Sequence, residues 1–161
     1  MSRRLRIEGR WLISLSIAAS VLLQLLPLPE TLAAVRPPFT IMMVIFWSLM
    51  APRLAGIGSG FAAGLALDIY LGSVLGQYAL AGAIIAYVVV RQHLMLRNKP
   101  ILEQALLVGA LLIAHEFLIW LIEGWMGQSQ GDWTRWLGCL TGALIWPLLS
   151  RLPTGRLPER A

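Results

Sequence analysis

Three residues in this chain could do chemistry from within apolar surroundings: Asp68, His115 and Glu116. A carboxylate inside a membrane-spanning run costs at least ~2.5 kcal/mol on insertion scales, so it must find a partner, a proton or water. Counted from the basic ends of their runs, Asp68 lies about 14 residues in and His115 and Glu116 about 15, a shared depth of roughly 21 to 22 Å. These residues could meet there, with Arg36 and Arg135, at the ends of neighbouring runs, as further partners. Such a cluster is either a proton relay or polar ligand site, or a structural device that fixes helix register. A metal centre is not expected. Adjacent His115 and Glu116 point about 100° apart on a helix, and His93, the other histidine, lies at a basic edge. The chain also has no P-loop, no paired catalytic carboxylates and no nucleophile elbow, so neither an enzyme nor a cofactor is expected.

A second pattern is geometric. Gly56, Gly60, Gly64, Asp68, Gly72 and Gly76 recur at intervals of four. Spacing of four keeps residues near one helix face, where glycines let another backbone approach closely. The stripe predicts a packing groove, within the molecule or at a subunit interface. Each step of four over-rotates by about 40°, so the stripe cannot stay on one face indefinitely, and Gly72 and Gly76 are read as a turn.

The elements that must position these residues follow from composition. Of 161 residues, 58% are hydrophobic and 13% charged, about half the charge that covers a soluble domain. Apolar runs fall at Trp11 to Pro27, Pro38 to Ala51, Leu54 to Gly72, Gln77 to Val90, Ile101 to Ile122 and Trp133 to Leu149. The expectation is an all-α polytopic membrane protein with six transmembrane helices in a single domain spanning 1–161. The second and fourth runs are short, since 14 residues cover only roughly 21 Å. Pro27 and Pro29 close the first run, and Pro38 and Pro100 suit helix starts. The polar stretch Gly124 to Asp132 reads as a loop, and seven tryptophans, among them Trp11, Trp125, Trp133 and Trp146, read mostly as an interfacial belt. Lone Cys139 reads as small apolar packing.

Basic residues set the orientation. One side holds Arg3, Arg4, Arg6, Arg10, Arg53, Arg91, Arg97, Lys99, Arg151, Arg156 and Arg160, leaving Arg36 and Arg135 for the other. The larger group marks the cytoplasm, so both termini, residues 1–10 and 150–161, are expected there. The first run, longer than a signal-peptide core and followed by further spans, reads as an uncleaved signal-anchor rather than a segment cut near Thr31 to Ala33. The net charge of +5 is spread over run ends instead of a patch with interleaved aromatics, which excludes nucleic acid. These cations suit anionic lipid head groups, with Arg97 and Lys99 as a candidate cytoplasmic contact.

The segment from Gly56 to Val89, GIGSGFAAGLALDIYLGSVLGQYALAGAIIAYVV, resembles the signature region of the MreD family of rod shape-determining membrane proteins. Gly60, Gly64, Leu67, Asp68, Gly72, Ser73, Leu75 and Gly76 carry the likeness, with Ile85, Ala86 and Tyr87 after them. Gly9 to Trp11, Arg36 with Pro37, and Arg97 with Asn98 extend it; beyond Gln104 it is mainly hydropathy, with Trp146 and Pro147. The resemblance implies a six-helix protein of the bacterial inner membrane, a scaffold in the elongation machinery for lateral peptidoglycan synthesis. It implies MreC as the principal partner, with MreB, RodA and a penicillin-binding transpeptidase alongside. It further implies a fold similar to the S components of energy-coupling factor transporters. That likeness keeps open an alternative, a subunit binding a small molecule or lipid-linked precursor. In the scaffold reading, a groove near Asp68 and the Gly72 to Gly76 turn receives a segment of MreC.

Overall fold

A computed structural model describes residues 2–27, 29–33, 35–127 and 133–152. The loop residues Gln128 to Asp132 and the tail cations Arg156 and Arg160 lie outside the described residues, as do the side chains of Arg3, Arg4 and Arg6. The described residues form helices and no strands. In order these are α1 (Ser2–Leu25), α2 (Glu30–Ala33), α3 (Phe39–Met50), α4 (Ile57–Leu71), α5 (Gln77–Arg97), α6 (Ile101–Trp125), a 3-10 turn (Trp133–Trp136) and α7 (Leu137–Leu149). By length and composition, α5 and α6 can each cross a membrane.

The sequence stops the fourth apolar run at Val90, but α5 continues through Arg91, Gln92 and His93 to Arg97. Polarity ends an apolar run without ending a helix. Straight-chain residues such as Arg, Gln, Leu and Met have good helix propensity, and the Arg91 guanidinium donates back to the Tyr87 hydroxyl at 2.8 Å. The long α6 follows at once, with Pro100 at its N-cap and Glu103 in its first turn.

The short α3 is the centre of the bundle. Thr40, Ile41, Met42, Val44, Ile45, Phe46, Ser48 and Leu49 are all buried, so this helix is apolar all round because other helices surround it. It packs against α1, α4, α5, α6 and α7. Trp146 of α7 is fully buried, which corrects its assignment to an interfacial belt. Its indole N–H donates to Gln104 Oε1 at 3.1 Å, and Gln104 Nε2 donates in turn to the Leu96 carbonyl at 3.2 Å. A buried indole needs such an acceptor, and the same contact seals the junction of α5, α6 and α7. Trp11, Trp125 and Trp133 do stand exposed, and large apolar side chains such as Leu22, Leu80, Leu102, Leu106, Leu144 and Leu148 face outward. An apolar exterior this extensive suits lipid rather than water.

Candidate functional site

The third apolar run becomes α4, which turns back on itself into α5. Gly72, at φ 62°, ends α4 in the left-handed conformation, and Gly76, at φ 99°, precedes α5. Both positions need glycine, because a Cβ there would clash with its own backbone. Asp68 closes the turn. Its Oδ1 accepts from Ser73 Oγ at 3.0 Å and Tyr78 N–H at 2.9 Å. Its Oδ2 accepts from Gly76 N–H at 3.0 Å and Ala79 N–H at 3.1 Å. A carboxylate has about four acceptor sites, and all are used. Three of the donors are backbone groups at the start of α5, where helical N–H groups lack intrahelical partners and the helix dipole favours a negative charge. Asp68, only 1% exposed, therefore caps the following helix. The compensation that this buried carboxylate requires comes from the turn, not from His115, Glu116 or Arg36.

The glycine stripe faces α5. A Cβ added at Gly60 would lie 2.5 Å from the Gly82 carbonyl oxygen, and one at Gly64 would run into the Tyr78 carbonyl. Gly56, by Val90, is in ordinary contact. Gly82 answers from α5, where a Cβ would lie 2.6 Å from the Gly60 carbonyl oxygen. This reciprocal glycine was not singled out in the sequence, although it sits between Ala81 and Ala83 on the facing helix.

His115 and Glu116 belong to a separate cluster. Glu116 Oε2 lies 3.5 Å from Arg135 Nε, and Glu116 Oε1 lies 3.6 Å from His115 Nδ1. Arg135 also donates to Glu123, at 2.6 Å through Nη1 and 3.2 Å through Nη2. Gln77 Nε2 reaches Glu123 Oε1 at 3.1 Å. Glu123 follows Glu116 by seven residues, two turns on one helix face, so its partnership was readable from spacing. Arg135 thus ties the 3-10 turn before α7 to α6, and Gln77 adds the start of α5. Arg36 lies apart, donating to the Leu23 carbonyl and, at 2.9 Å, to the Leu26 carbonyl near the end of α1. At the opposite end, Arg97 sits in the last turn of α5, and Lys99 pairs with Glu103 at 2.9 Å. Such an exposed pair contributes at most about 1 kcal/mol.

Between these helices lies a cavity of about 20 Å³, lined by Gln24, Thr40, Gly64, Tyr78, His115 and Glu116 among others. That is room for one water. A groove of about 430 Å³ opens sideways between α1 and α4, over Ser14, Ala18, Ser59, Ala62 and Ala66. Among the described residues no group of three His, Cys, Asp or Glu side chains gathers as a metal set. Cys139 is a buried free thiol.

Residues 5–154 match the family model described as rod shape-determining protein MreD. The chain belongs to the MreD family. The rod shape-determining protein MreD of Haemophilus influenzae is 31% identical over 147 residues, covering 91% of this chain and 90% of that protein. No solved structure matches the chain. The residues that make the MreD resemblance, Gly60, Gly64, Asp68, Gly72, Ser73 and Gly76, are those that build the α4–α5 hairpin. A role in rod shape determination follows from the family.

Proposed function

We propose that this MreD-family chain is a non-enzymatic scaffold of the bacterial elongation machinery, crossing the inner membrane six times with both termini in the cytoplasm. Its work is to bind MreC and, with it, MreB, RodA and the penicillin-binding transpeptidase during lateral peptidoglycan synthesis. The six spans are α1, α3, α4, α5, α6 and α7, in an arrangement akin to the S components of energy-coupling factor transporters. Arg36 and Arg135 stand at the end that bears the α4–α5 turn, whereas Arg97 and Lys99 stand at the other, in keeping with a cytoplasmic basic face.

The α4–α5 turn carries this reading. Asp68 fastens it from inside, while Tyr70 and Leu75 are 61% and 71% exposed, with Ile69 and Leu71 beside them. A turn held by four hydrogen bonds presents apolar side chains in a fixed arrangement, which lowers the ordering cost of docking a partner segment. Asp68 acts by building that surface. Affinity capture from native membranes in mild detergent, with wild type, Tyr70→Ala/Leu75→Ala and Leu144→Ala compared at matched expression, tests it. Loss of MreC from the turn variant alone supports the assignment; equal MreC recovery from all three sinks it.

The groove between α1 and α4 favours one other reading, a subunit that holds a lipid-linked precursor. Its volume falls within the usual range for ligand sites, about 300 to 1,000 Å³, whereas the central cavity is far too small for an organic ligand. Mass spectrometry of lipids that co-purify, followed by thermal unfolding with the enriched lipid added back, separates this reading from the scaffold.

A further inference from the structure

The groove between α1 and α4 is left open by the small residues that line it. Ser14, Ala18 and Leu22 stand on the α1 side and Ser59, Ala62 and Ala66 on the α4 side of a volume of about 430 Å³. The Ser59 hydroxyl donates to the Gly56 carbonyl of its own chain at 2.7 Å, so that wall stays apolar. From Ser14 to Leu22 is about 12 Å along a helix, which gives the groove a cross-section of roughly 36 Å², a slot about 7 Å wide. A helix with its side chains is about 10–12 Å across, too broad to lie in such a slot, whereas a single hydrocarbon chain enters it. Left unfilled, the slot forfeits the contacts of its lining atoms. One end of it is basic. Arg10 precedes Ser14 by one helical turn on the same face, and Arg53 lies in the connection that leads into α4. Both are exposed, and neither has a hydrogen bond or ion pair among the described residues. The first ten residues hold four arginines against one acid, Glu8.

We propose that this groove binds one anionic phospholipid of the inner leaflet, with an acyl chain along Ala18, Ala62 and Ala66 and the headgroup phosphate between Arg10 and Arg53. The site rests on the membrane-spanning scaffold reading, in which α1 and α4 run the same way from the cytoplasmic face and the groove has no wall precursor to hold. Guanidinium groups donate paired hydrogen bonds to phosphate oxygens, and a headgroup with net negative charge leaves no opposing cation beside them. The apolar slot takes the tail, and the basic end selects the head. A lipid seated there also ties α1, which packs more thinly on α4 than on α3, to the outer face of the helix that carries Asp68.

The probes are phosphatidylglycerol and phosphatidylcholine, each added to the full chain delipidated in mild detergent, with bound lipid counted by native mass spectrometry. Wild type is expected to hold one phosphatidylglycerol per chain, about thirtyfold more tightly than phosphatidylcholine, from two arginines near the headgroup. Arg10→Gln/Arg53→Gln is expected to lose that preference, whereas Arg97→Gln/Lys99→Gln keeps it. Ala62→Leu, which fills the slot from an exposed position, is expected to weaken both lipids about tenfold. Equal binding of the two lipids by wild type overturns the proposal, and that measurement needs no variant to fold. Unchanged binding by a folded Ala62→Leu protein overturns the placement in the groove. A polyprenyl phosphate recovered in place of the phospholipid from native membranes overturns the choice of ligand in favour of the precursor. Release of the wild type from those membranes by alkaline carbonate without detergent sinks the membrane-spanning reading itself, which keeps the two failures apart.

Discussion

Replacing Gly64 with alanine adds one methyl group where two helix backbones touch. The new Cβ would stand 2.5 Å from the Ala79 nitrogen and nearer still to the Tyr78 carbonyl. Backbone atoms cannot rotate aside, so α4 and α5 must separate by about 1 Å to restore ordinary contact near 3.5 Å. The separation acts where Asp68 holds Tyr78 and Ala79, at 2.9 and 3.1 Å. Those bonds would open to about 4 Å, beyond hydrogen-bonding range. Overpacking costs about 1–3 kcal/mol, and weakening two bonds to a buried charge adds about as much after partial relaxation, so about 3 kcal/mol is expected. For a chain of this length that lowers the unfolding midpoint by roughly 10 °C. The assay is thermal unfolding in detergent, followed by tryptophan fluorescence and by size-exclusion elution after heating. Gly58, with no atom within 4 Å of its added Cβ, is the control. Gly58→Ala should be neutral or stabilise by up to about 1 kcal/mol. A Gly64→Ala protein that melts with the wild type, or a Gly58→Ala protein that loses as much, refutes the backbone-contact argument.

Asp68→Asn keeps one acceptor oxygen but turns an amide donor toward the α5 N–H groups, so it should cost about 2 kcal/mol, while Asp68→Leu strands all the donors and should cost more than about 3 kcal/mol. Thermal unfolding in the same detergent ranks the two, and equal melting of both with the wild type removes the cap. Gln104→Leu leaves the Trp146 indole N–H and the Leu96 carbonyl without their side-chain partner, for a loss of about 1–3 kcal/mol and a shift in tryptophan emission. Arg97→Gln/Lys99→Gln should change stability by less than about 0.5 kcal/mol and leave insertion intact while weakening retention on anionic vesicles; unchanged retention refutes the lipid contact.

The all-helical architecture was legible because the chain is a series of long apolar runs, two of which become α5 and α6, helices apolar enough to cross a membrane. The helix ends were less so. The apolar criterion stopped at Val90 while backbone hydrogen bonding continued to Arg97, since helix propensity and hydropathy are different properties. Gly72 and Gly76 were readable as a turn from the rotation of a four-residue repeat. The partners of Asp68 were not, because a depth argument counts side chains along helices and overlooks unpaired backbone N–H groups at a helix start. Ser73 and Gly76 shortly after Asp68 were the available signal. His115 and Glu116 lie beside Arg135, which the sequence offered only as a partner at a run end, whereas Arg36, offered in the same way, bends toward α1 carbonyls. Trp146 sits near a run end yet is buried, since Gln104 offers its indole an acceptor.

The Asp68 cap also bears on how the chain is made. Its donors are Ser73, Gly76, Tyr78 and Ala79, all synthesised after α4 itself. In the proposed six-span arrangement, an α4 that alone has left the ribosome has a carboxylate with no protein partner, and its release into lipid carries the full charge penalty of at least ~2.5 kcal/mol. Once the first turn of α5 emerges, that penalty is offset and the glycine faces can meet. The two helices are therefore expected to leave the translocon as a pair, with α4 waiting in its aqueous channel until its successor arrives.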